Sequence, residues 1–342
     1  MTVAPPVSRW AKALRAAGLQ EVVEQAPLAA FTAFRIGGPA DLLVFPHGVD
    51  QLRRALEVAW ELGVPVTVIG QGSNLLVSDQ GVEGMVLRLG RGLARVEFDG
   101  QRVRAQAGTG FPSLAWQAAD RELGGLEFGV MIPGTMGGAV VMNAGAHHRS
   151  IGPRVRRVRC FTRQGREEQL EGHELAFGYR FSLLQGRPDL VVAEVELELE
   201  PRPRAALVQE MERFLEVRRR TQPLGEPGAG SIFKNPPGDF AGRLIERAGL
   251  KGWRRGDVEV SPVHANFIVN KGSARCLDVL RAIRMVQEAV QERFGVTLEL
   301  EVRLLGRFSD EEREAAGPNL AAGAGAPAAP ALPAGSDRCL PG

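Results

Sequence analysis

Residues 129–145 read GVMIPGTMGGAVVMNAG, and the rest of the chain is arranged around them. It is apolar, rich in glycine and free of charged side chains. Surface loops seldom lack charge, so the stretch belongs inside the protein. Pro133-Gly134-Thr135 reads as a tight turn, and Gly137-Gly138 as a place where backbone lies against something flat or bulky. From these residues alone two readings stand open. One is a buried turn between two core strands. The other is a wall for a large bound cofactor, with backbone N–H groups turned toward it.

The chain around it has 342 residues, enough for two or three domains with their own cores. Its 42 basic and 40 acidic residues carry no sign of a nucleic-acid or acidic-membrane partner. Cys160, Cys276 and Cys339 are odd in number and far apart, which reads as reduced thiols and no metal site. The N-terminal residues lack a signal-peptide core and no apolar run reaches membrane-spanning length, so a cytoplasmic setting is expected. Lysine occurs only at positions 12, 234, 251 and 271, with Arg everywhere else. A chain that defaults to Arg and keeps Lys234 points to a compact ammonium at that position.

Outward from the opening stretch, residues 9–25 read as an amphipathic helix, followed by the turn Gly37-Gly38. Asp50 is placed to cap a helix with stripe Leu52, Leu56, Ala59 and Leu62. Val64–Ile69 reads as a buried strand, then Gly70-Gln71-Gly72-Ser73-Asn74 as a polar loop, then Leu75–Val77 as a strand. This loop lacks the third glycine of a dinucleotide-binding GxGxxG and leads into a strand, not a helix. Its consecutive free N–H groups could form a nest for a pyrophosphate or simply a β-turn. Arg95–Phe98 and Arg102–Gln106 form a hairpin at Asp99-Gly100, and Ser113 caps a helix running through Leu123. Val155–Thr162 and Glu167–Leu170 read as strands. Val191–Glu200 alternates apolar residues with glutamates.

Pro203–Arg220 reads as a helix ending in three arginines, a cluster that complements the helix dipole or contacts a phosphate. TQPLGEPGAGSIFKNPPGDF, from Thr221, brings Ser231, Lys234 and Asn235 together in what would otherwise be a linker. A short helix over 240–248, a strand over 260–270, a long helix over 275–294 and a last strand over 296–305 complete the ordered chain. In that last strand Leu298, Leu300, Val302 and Leu304 face the core, while Glu299, Glu301 and Arg303 face away. From 309 onward, and clearly past Gly317, an Ala/Pro/Gly-rich disordered tail is expected.

FTAFRIGGPAD, GQGSNLLVSD, LEFGVMIPGTMGGAVVMNAGA, FGYRFS, TQPLGEPGAGSIFKNP, HANFIVN and LELEVRLLG occur in this order across roughly residues 25–307. Together they resemble the UDP-N-acetylenolpyruvoylglucosamine reductases, flavoenzymes of peptidoglycan precursor synthesis. The resemblance implies an α+β protein. An N-terminal helix (1–25) would precede an FAD-binding region of the vanillyl-alcohol-oxidase-like (PCMH-type) kind (26–202). That region would hold two α+β subdomains, about 26–90 and 91–202, followed by a smaller α+β substrate-binding domain (203–308) and the tail (309–342). The single-Ser loop, and the lack of an insertion between Tyr179 and Ser182, look like the shorter of the family's two types.

The resemblance further implies non-covalent FAD, NADPH as reductant and UDP-N-acetylglucosamine enolpyruvate as substrate, with no obligate protein partner. Gly70, Gln71, Gly72, Ser73, Asn74 and Leu75 would hold the pyrophosphate. Ile132, Pro133, Gly134, Thr135 and Gly138 would line the flavin, and Arg218 would reach a phosphate. Arg180, Ser231 and Glu301 would be catalytic: Arg180 gripping the substrate carboxylate, Glu301 orienting Arg180 or serving as a neutral acid, Ser231 giving a proton to carbon. Tyr179, Lys234 and Asn235 would bind substrate. His147-His148-Arg149 stands where family members often carry an aromatic residue and glycine, and Ala33 where they carry threonine; His147 and His148 read as solvated loop residues. Rival readings are an FAD-linked oxidase of the same superfamily, which would release peroxide without NADPH, and a non-catalytic UDP-sugar or flavin binder.

Overall fold

The computed structural model describes residues 6–320. The first unit comprises α1 (Pro6–Ala16), β1 (Val22–Pro27), β2 (Pro39–Val44), α2 (Val49–Glu61), β3 (Val66–Ile69), β4 (Leu75–Val77) and β5 (Val82–Arg88). Its sheet runs β1-β2-β5-β3, with β2 and β3 both parallel to β5 and β1 antiparallel to β2. β2 is apolar on both faces because both are covered. Leu42 and Val44 pack toward the α2 stripe of Leu52, Leu56 and Ala59, while Ala40 and Leu43 join a smaller core with Ile69, Val77 and Val86.

The second unit holds β6 (Val96–Asp99), β7 (Arg102–Gln106), α3 (Phe111–Ala119), α4 (Met136–Val141), β8 (Val155–Thr162), β9 (Glu167–Glu171), β10 (Leu190–Glu198) and α5 (Arg204–Thr221). The sheet order is β9-β8-β10-β7-β6, antiparallel throughout. β10 buries Ala193, Val195 and Leu197, while Glu196 and Glu198 on its other face pair with Arg156.

The third unit is β11 (Gly228–Ser231), α6 (Ala241–Arg247), β12 (Arg254–Arg255), β13 (Val258–Val260), β14 (Phe267–Asn270), α7 (Cys276–Phe294), β15 (Arg303–Leu305) and α8 (Asp310–Ala316). The sheet β11-β14-β13-β12 shares a core with Val279, Ile283, Val286 and Val290 of α7. β15 leaves this unit and pairs in parallel with β4 of the first, Arg303 opposite Leu75. This strand pair joins the third unit to the first, whose Phe34, Ile36 and Leu76 also pack in the third core.

The α+β class agrees with the sequence reading, while several element borders differ from it. The N-terminal helix ends at Ala16, and Val22–Pro27 is a strand; Gly18, at φ 91°, breaks the helix. α2 is preceded by Gly48, so Asp50 sits inside the first turn. α3 starts at Phe111 behind Gly110, not at Ser113, and stops at Ala119. The strand expected over 260–270 is broken in two, because Ser261 Oγ accepts from the N–H groups of Val263 and His264 and folds a turn around Pro262.

The last strand is shorter than its alternation implies, since its two halves serve different partners. Lys234 N donates to Glu299 O (2.8 Å) and Glu301 N to Ile232 O (2.8 Å), whereas 303–305 pair with β4. α5 buries Leu207, Met211 and Phe214 in the core of the first two units, so it belongs with them and not with a domain beginning at 203. The tail expected from 309 begins as a helix. Ser309 caps α8, Ala315 and Ala316 join the third core, and Glu312 accepts from Ser78 Oγ (2.9 Å) and Asp79 N (2.9 Å). Residues 321–342 lie outside the described residues.

Candidate active site

The uncharged stretch 129–145 forms a shelf: a 3-10 turn (Glu127–Met131), an extended turn over 132–135, and α4. Neither a bare turn between strands nor surface, it is pinned from behind. Met136 N donates to Thr109 O (2.8 Å) and Gly137 N to Ala107 O (2.9 Å). A Cβ at Gly137 would stand 3.0 Å from Ala107 Cβ, so glycine lets α4 lie against the residue that follows β7 without pushing it away. Gly138 faces the other way and is exposed; a Cβ there would meet nothing nearer than Thr135 Oγ1 at 3.8 Å. The protein leaves a hollow at Gly138 that a side chain would fill.

The loop 70–74 abuts this shelf. Ser73 Oγ donates to Pro133 O (2.8 Å), and a side chain at Gly70 would overlap Thr135. Asn74 ties the loop to the third unit, its Nδ2 donating to Glu301 O (3.0 Å) and its O accepting from Arg303 N (3.0 Å). The result is a cavity of about 760 Å³ lined by residues 70–75, 132–135 and Gly138, together with Arg180, Arg218, Ser231 and Glu301.

Tyr179 and Arg180 occupy the tip of a two-residue turn closed by Gly178 and Phe181. Arg180 has φ 54°, a left-handed conformation that costs a non-glycine residue about 1–2 kcal/mol. It is held there by Gln185, whose Nε2 donates to Arg180 O (2.9 Å), and by Glu301, whose Oε1 accepts from Arg180 Nε (2.5 Å). Burial pushes the Glu301 carboxyl above its ordinary value; Arg180 and, more weakly, Lys234 oppose that push without cancelling it. The pair therefore sits where the Glu301 charge is poorly solvated.

Ser231 ends β11 opposite Phe267, and Ile232, the next residue, accepts from Glu301 N. This pairing sets the serine and the carboxylate on adjacent backbone segments. Among the described residues the Ser231 hydroxyl makes no hydrogen bond, so it is free to meet a ligand. The outer group is separate from the cavity wall. Tyr179 Oη accepts from Asn235 N (3.3 Å), Lys234 Nζ pairs with Glu299 (3.4 Å), and Asn235 lines a neighbouring pocket.

Arg218 extends from α5 one turn beyond the buried Phe214. Its Nε is buried without a partner among the described residues, and burial lowers its pKa. A guanidinium in that state facing a cavity fits an anionic group supplied by a ligand. The hollow at Gly138, the unpartnered Arg218 and the N–H-rich loop over 70–74 together fit a flat ring system carrying a pyrophosphate.

Three residues of this site escaped the sequence reading. Arg303 lines the cavity with only a neutral partner, Gln185 Oε1 (3.2 Å), and burial lowers its pKa. Its spacing of two from Glu301 on a strand was the available signal. Gln185 links Arg303, Arg180 O and Val141 O (3.1 Å) at the end of the shelf. Asn266 clamps Phe233 through both backbone groups, accepting from its N–H (3.0 Å) and donating to its C=O (2.8 Å). His147 and His148 are exposed as expected, though one face of His147 stacks on Phe214 with centroids 4.3 Å apart.

Comparison with known proteins agrees with this geometry. Residues 40–171 match the model of an FAD binding domain, and residues 222–305 match that of the UDP-N-acetylenolpyruvoylglucosamine reductase C-terminal domain. The chain is 52% identical to UDP-N-acetylenolpyruvoylglucosamine reductase 2 of Symbiobacterium thermophilum, over 82% of this chain and 91% of that protein. It is 42% identical to the UDP-N-acetylenolpyruvoylglucosamine reductase of Bacillus velezensis, over 86% and 97%. The crystal structure of the Thermus caldophilus UDP-N-acetylenolpyruvylglucosamine reductase superposes with a TM-score of 0.72 at 39% identity, covering 83% of this chain and 98% of that one. A shared sequence over most of both chains and a shared fold lead to one statement: the chain belongs to the UDP-N-acetylenolpyruvoylglucosamine reductase family.

Proposed function

We propose that this FAD-dependent oxidoreductase reduces UDP-N-acetylglucosamine enolpyruvate to UDP-N-acetylmuramate with NADPH, a step of peptidoglycan synthesis. The observation that carries the reading is the meeting of Arg180, Glu301 and the free Ser231 hydroxyl in one cavity with the glycine shelf. Bound FAD supplies hydride carriage from NADPH to an alkene, chemistry that no side chain offers.

The residues divide the remaining work. The N–H groups of 70–74 and the Arg218 guanidinium are suited to a pyrophosphate. Residues 132–135 and Gly138 offer a flat, uncharged surface that excludes water from one side of a ring. Arg180 is suited to grip the enolpyruvyl carboxylate; its fixed charge stabilises the negative charge that develops there once the far alkene carbon has gained hydride. Glu301 holds Arg180 Nε and thereby sets the direction of that grip. Ser231 Oγ is placed to give its proton to the carbon bearing the carboxylate, completing a net gain of hydride and proton across the double bond. Lys234, Asn235 and Tyr179, on the rim, are suited to the substrate diphosphate. Among the described residues no helix is long and apolar enough to cross a membrane. We place the reaction in the cytoplasm, where NADPH and UDP-sugars are available to it.

The test is direct. Purified protein should be yellow and should oxidise NADPH only when UDP-N-acetylglucosamine enolpyruvate is added, yielding UDP-N-acetylmuramate. Peroxide release from an alcohol or sugar without NADPH would instead identify an oxidase.

A further inference from the structure

Glu127 opens the shelf and is only 3% exposed, yet it does not line the cavity. Its carboxylate accepts from Gly125 N (3.0 Å), Arg149 Nη1 (3.2 Å) and Arg202 Nη1 (3.0 Å). The same two arginines reach a second carboxylate, Glu210: Arg202 through Nη1 (2.6 Å) and Arg149 through Nη2 (2.8 Å). Two cations and two carboxylates thus close a ring in which each arginine bridges both glutamates. Four separate segments supply it: the 3-10 turn Glu127–Met131, the hairpin arm Arg149–Ser150, the connection from β10 to α5, and α5 itself. A carboxylate buried as deeply as Glu127 must keep its partners. The direction of its hydrogen bonds then specifies one docking, where apolar contacts alone would let the elements slide.

Glu210, Phe214 and Arg218 follow at intervals of four on α5, so they share a face. That face is engaged at three levels, the first being the charge ring. One turn on, Phe214 stacks on the His147 ring, with centroids 4.3 Å and planes 12° apart. One turn further, Arg218 enters the cavity, roughly 12 Å along the helix axis from Glu210. His147 and His148 form the tip of the hairpin that pairs Gly145–Ala146 with Arg149–Ser150. Both hold a positive φ, 53° and 60°, as a two-residue hairpin turn requires. The hairpin touches the cavity through Gly145 and Ala146, and α5 through His147 and Arg149.

We propose that the ring of Glu127, Arg149, Arg202 and Glu210 is a positioning device for the cofactor: it sets where α5 stands along the shelf, and so where the Arg218 guanidinium meets the anionic group of bound FAD. The four are positioning residues and line no part of the cavity; the inference rests on the role given to Arg218 above. A helix is stiff over two turns, so a shift at Glu210 is carried to Arg218. Hydrogen bonds from Arg218 to an anion hold only over a range of about 0.5 Å, so a small shift is enough to loosen them.

The test is a double-mutant cycle on FAD release from the full-chain holoenzyme, followed after dilution by the rise of free-flavin fluorescence. Glu210→Gln and Glu127→Gln are each made alone and together with Arg218→Ala. Where Arg218 is present, each should release FAD about tenfold faster. In the Arg218→Ala background the same change should alter release by less than about twofold, because the contact it positions is already gone. General destabilisation gives a different pattern, since it speeds release equally in both backgrounds. Equal acceleration in both backgrounds therefore overturns the proposal, as does wild-type release from both single variants. Glu210, with 10% of its side chain exposed, keeps the test open if Glu127→Gln does not fold. Turnover plays no part in the readout, so failure of the proposed reaction would show separately, as no NADPH oxidation with the enolpyruvyl substrate.

Discussion

Replacing Asn266 with alanine perturbs the segment between Ser231 and Lys234 without touching either residue. Asn266 is 4% exposed, and its side chain satisfies both the N–H and the C=O of Phe233. Alanine strands both groups away from water. A buried backbone group without a partner costs about 1–3 kcal/mol, so the pair together costs roughly 2–6 kcal/mol. Against a total stability of about 5–15 kcal/mol this is a large share, and the melting midpoint should fall by roughly 5–10 °C. The backbone between Ser231 and Lys234 loses its anchor on one side and keeps its pairing with 299–301 on the other. Reoxidation of reduced flavin by the enolpyruvyl substrate should slow at least tenfold, while flavin content is retained, since the FAD-side walls are untouched. The assays are differential scanning calorimetry of the holoenzyme and anaerobic stopped-flow absorbance. Asn266→Asp keeps an acceptor for the Phe233 N–H but loses the donor to its C=O, and should be no milder. A wild-type midpoint together with a wild-type reoxidation rate in Asn266→Ala would refute the reasoning.

Arg218→Ala should weaken FAD binding about 10- to 100-fold, the loss of a hydrogen-bonded charge, while the flavin-free protein melts no lower than wild type because a buried unpartnered guanidinium is gone; fluorescence titration and melting of the apoprotein check the two halves. Glu301, raised by burial, contributes stability that is complete below the ordinary carboxylate value of 4.5 and is lost as pH rises through its higher folded value. The melting midpoint of Glu301→Gln relative to wild type should therefore move in the variant's favour from about pH 4 to about pH 8. Glu312 has the opposite sign: burial pushes it up, but donors from Asp79, Ser309 and Ser78 outweigh that and hold it below 4.5. Glu312→Gln should melt below wild type at neutral pH, with the difference shrinking as pH falls through the lowered value.

What sequence conveyed depended on whether a residue acts through its neighbours in the chain. The 70–75 loop, the shelf glycines and FGYRFS are local patterns, and the structure brings Arg180, Ser231, Glu301 and Arg218 to one cavity with them. The register that joins them is not local. Asn74 meets Glu301 across 227 positions, and nothing near either residue encodes that contact. The last strand looked continuous because Leu298, Leu300, Val302 and Leu304 alternate, yet the alternation is shared between two partners in different units. Gly18, Gly48 and Gly110 fixed helix starts and stops that nearby Asp50 and Ser113 had seemed to mark. α8 was hidden by the Ala/Pro/Gly composition that follows it, although Ser309 and Glu312 form a capping box.

In the proposed mechanism Ser231 gives a proton to the carbon bearing the carboxylate once the far alkene carbon has gained hydride. Ser231→Ala measured by anaerobic stopped flow tests it most directly, with the two half-reactions followed separately at the flavin absorbance. Reduction of FAD by NADPH should be nearly unchanged, and reoxidation by UDP-N-acetylglucosamine enolpyruvate almost absent. Equal losses in both halves, or reoxidation at the wild-type rate, would contradict it.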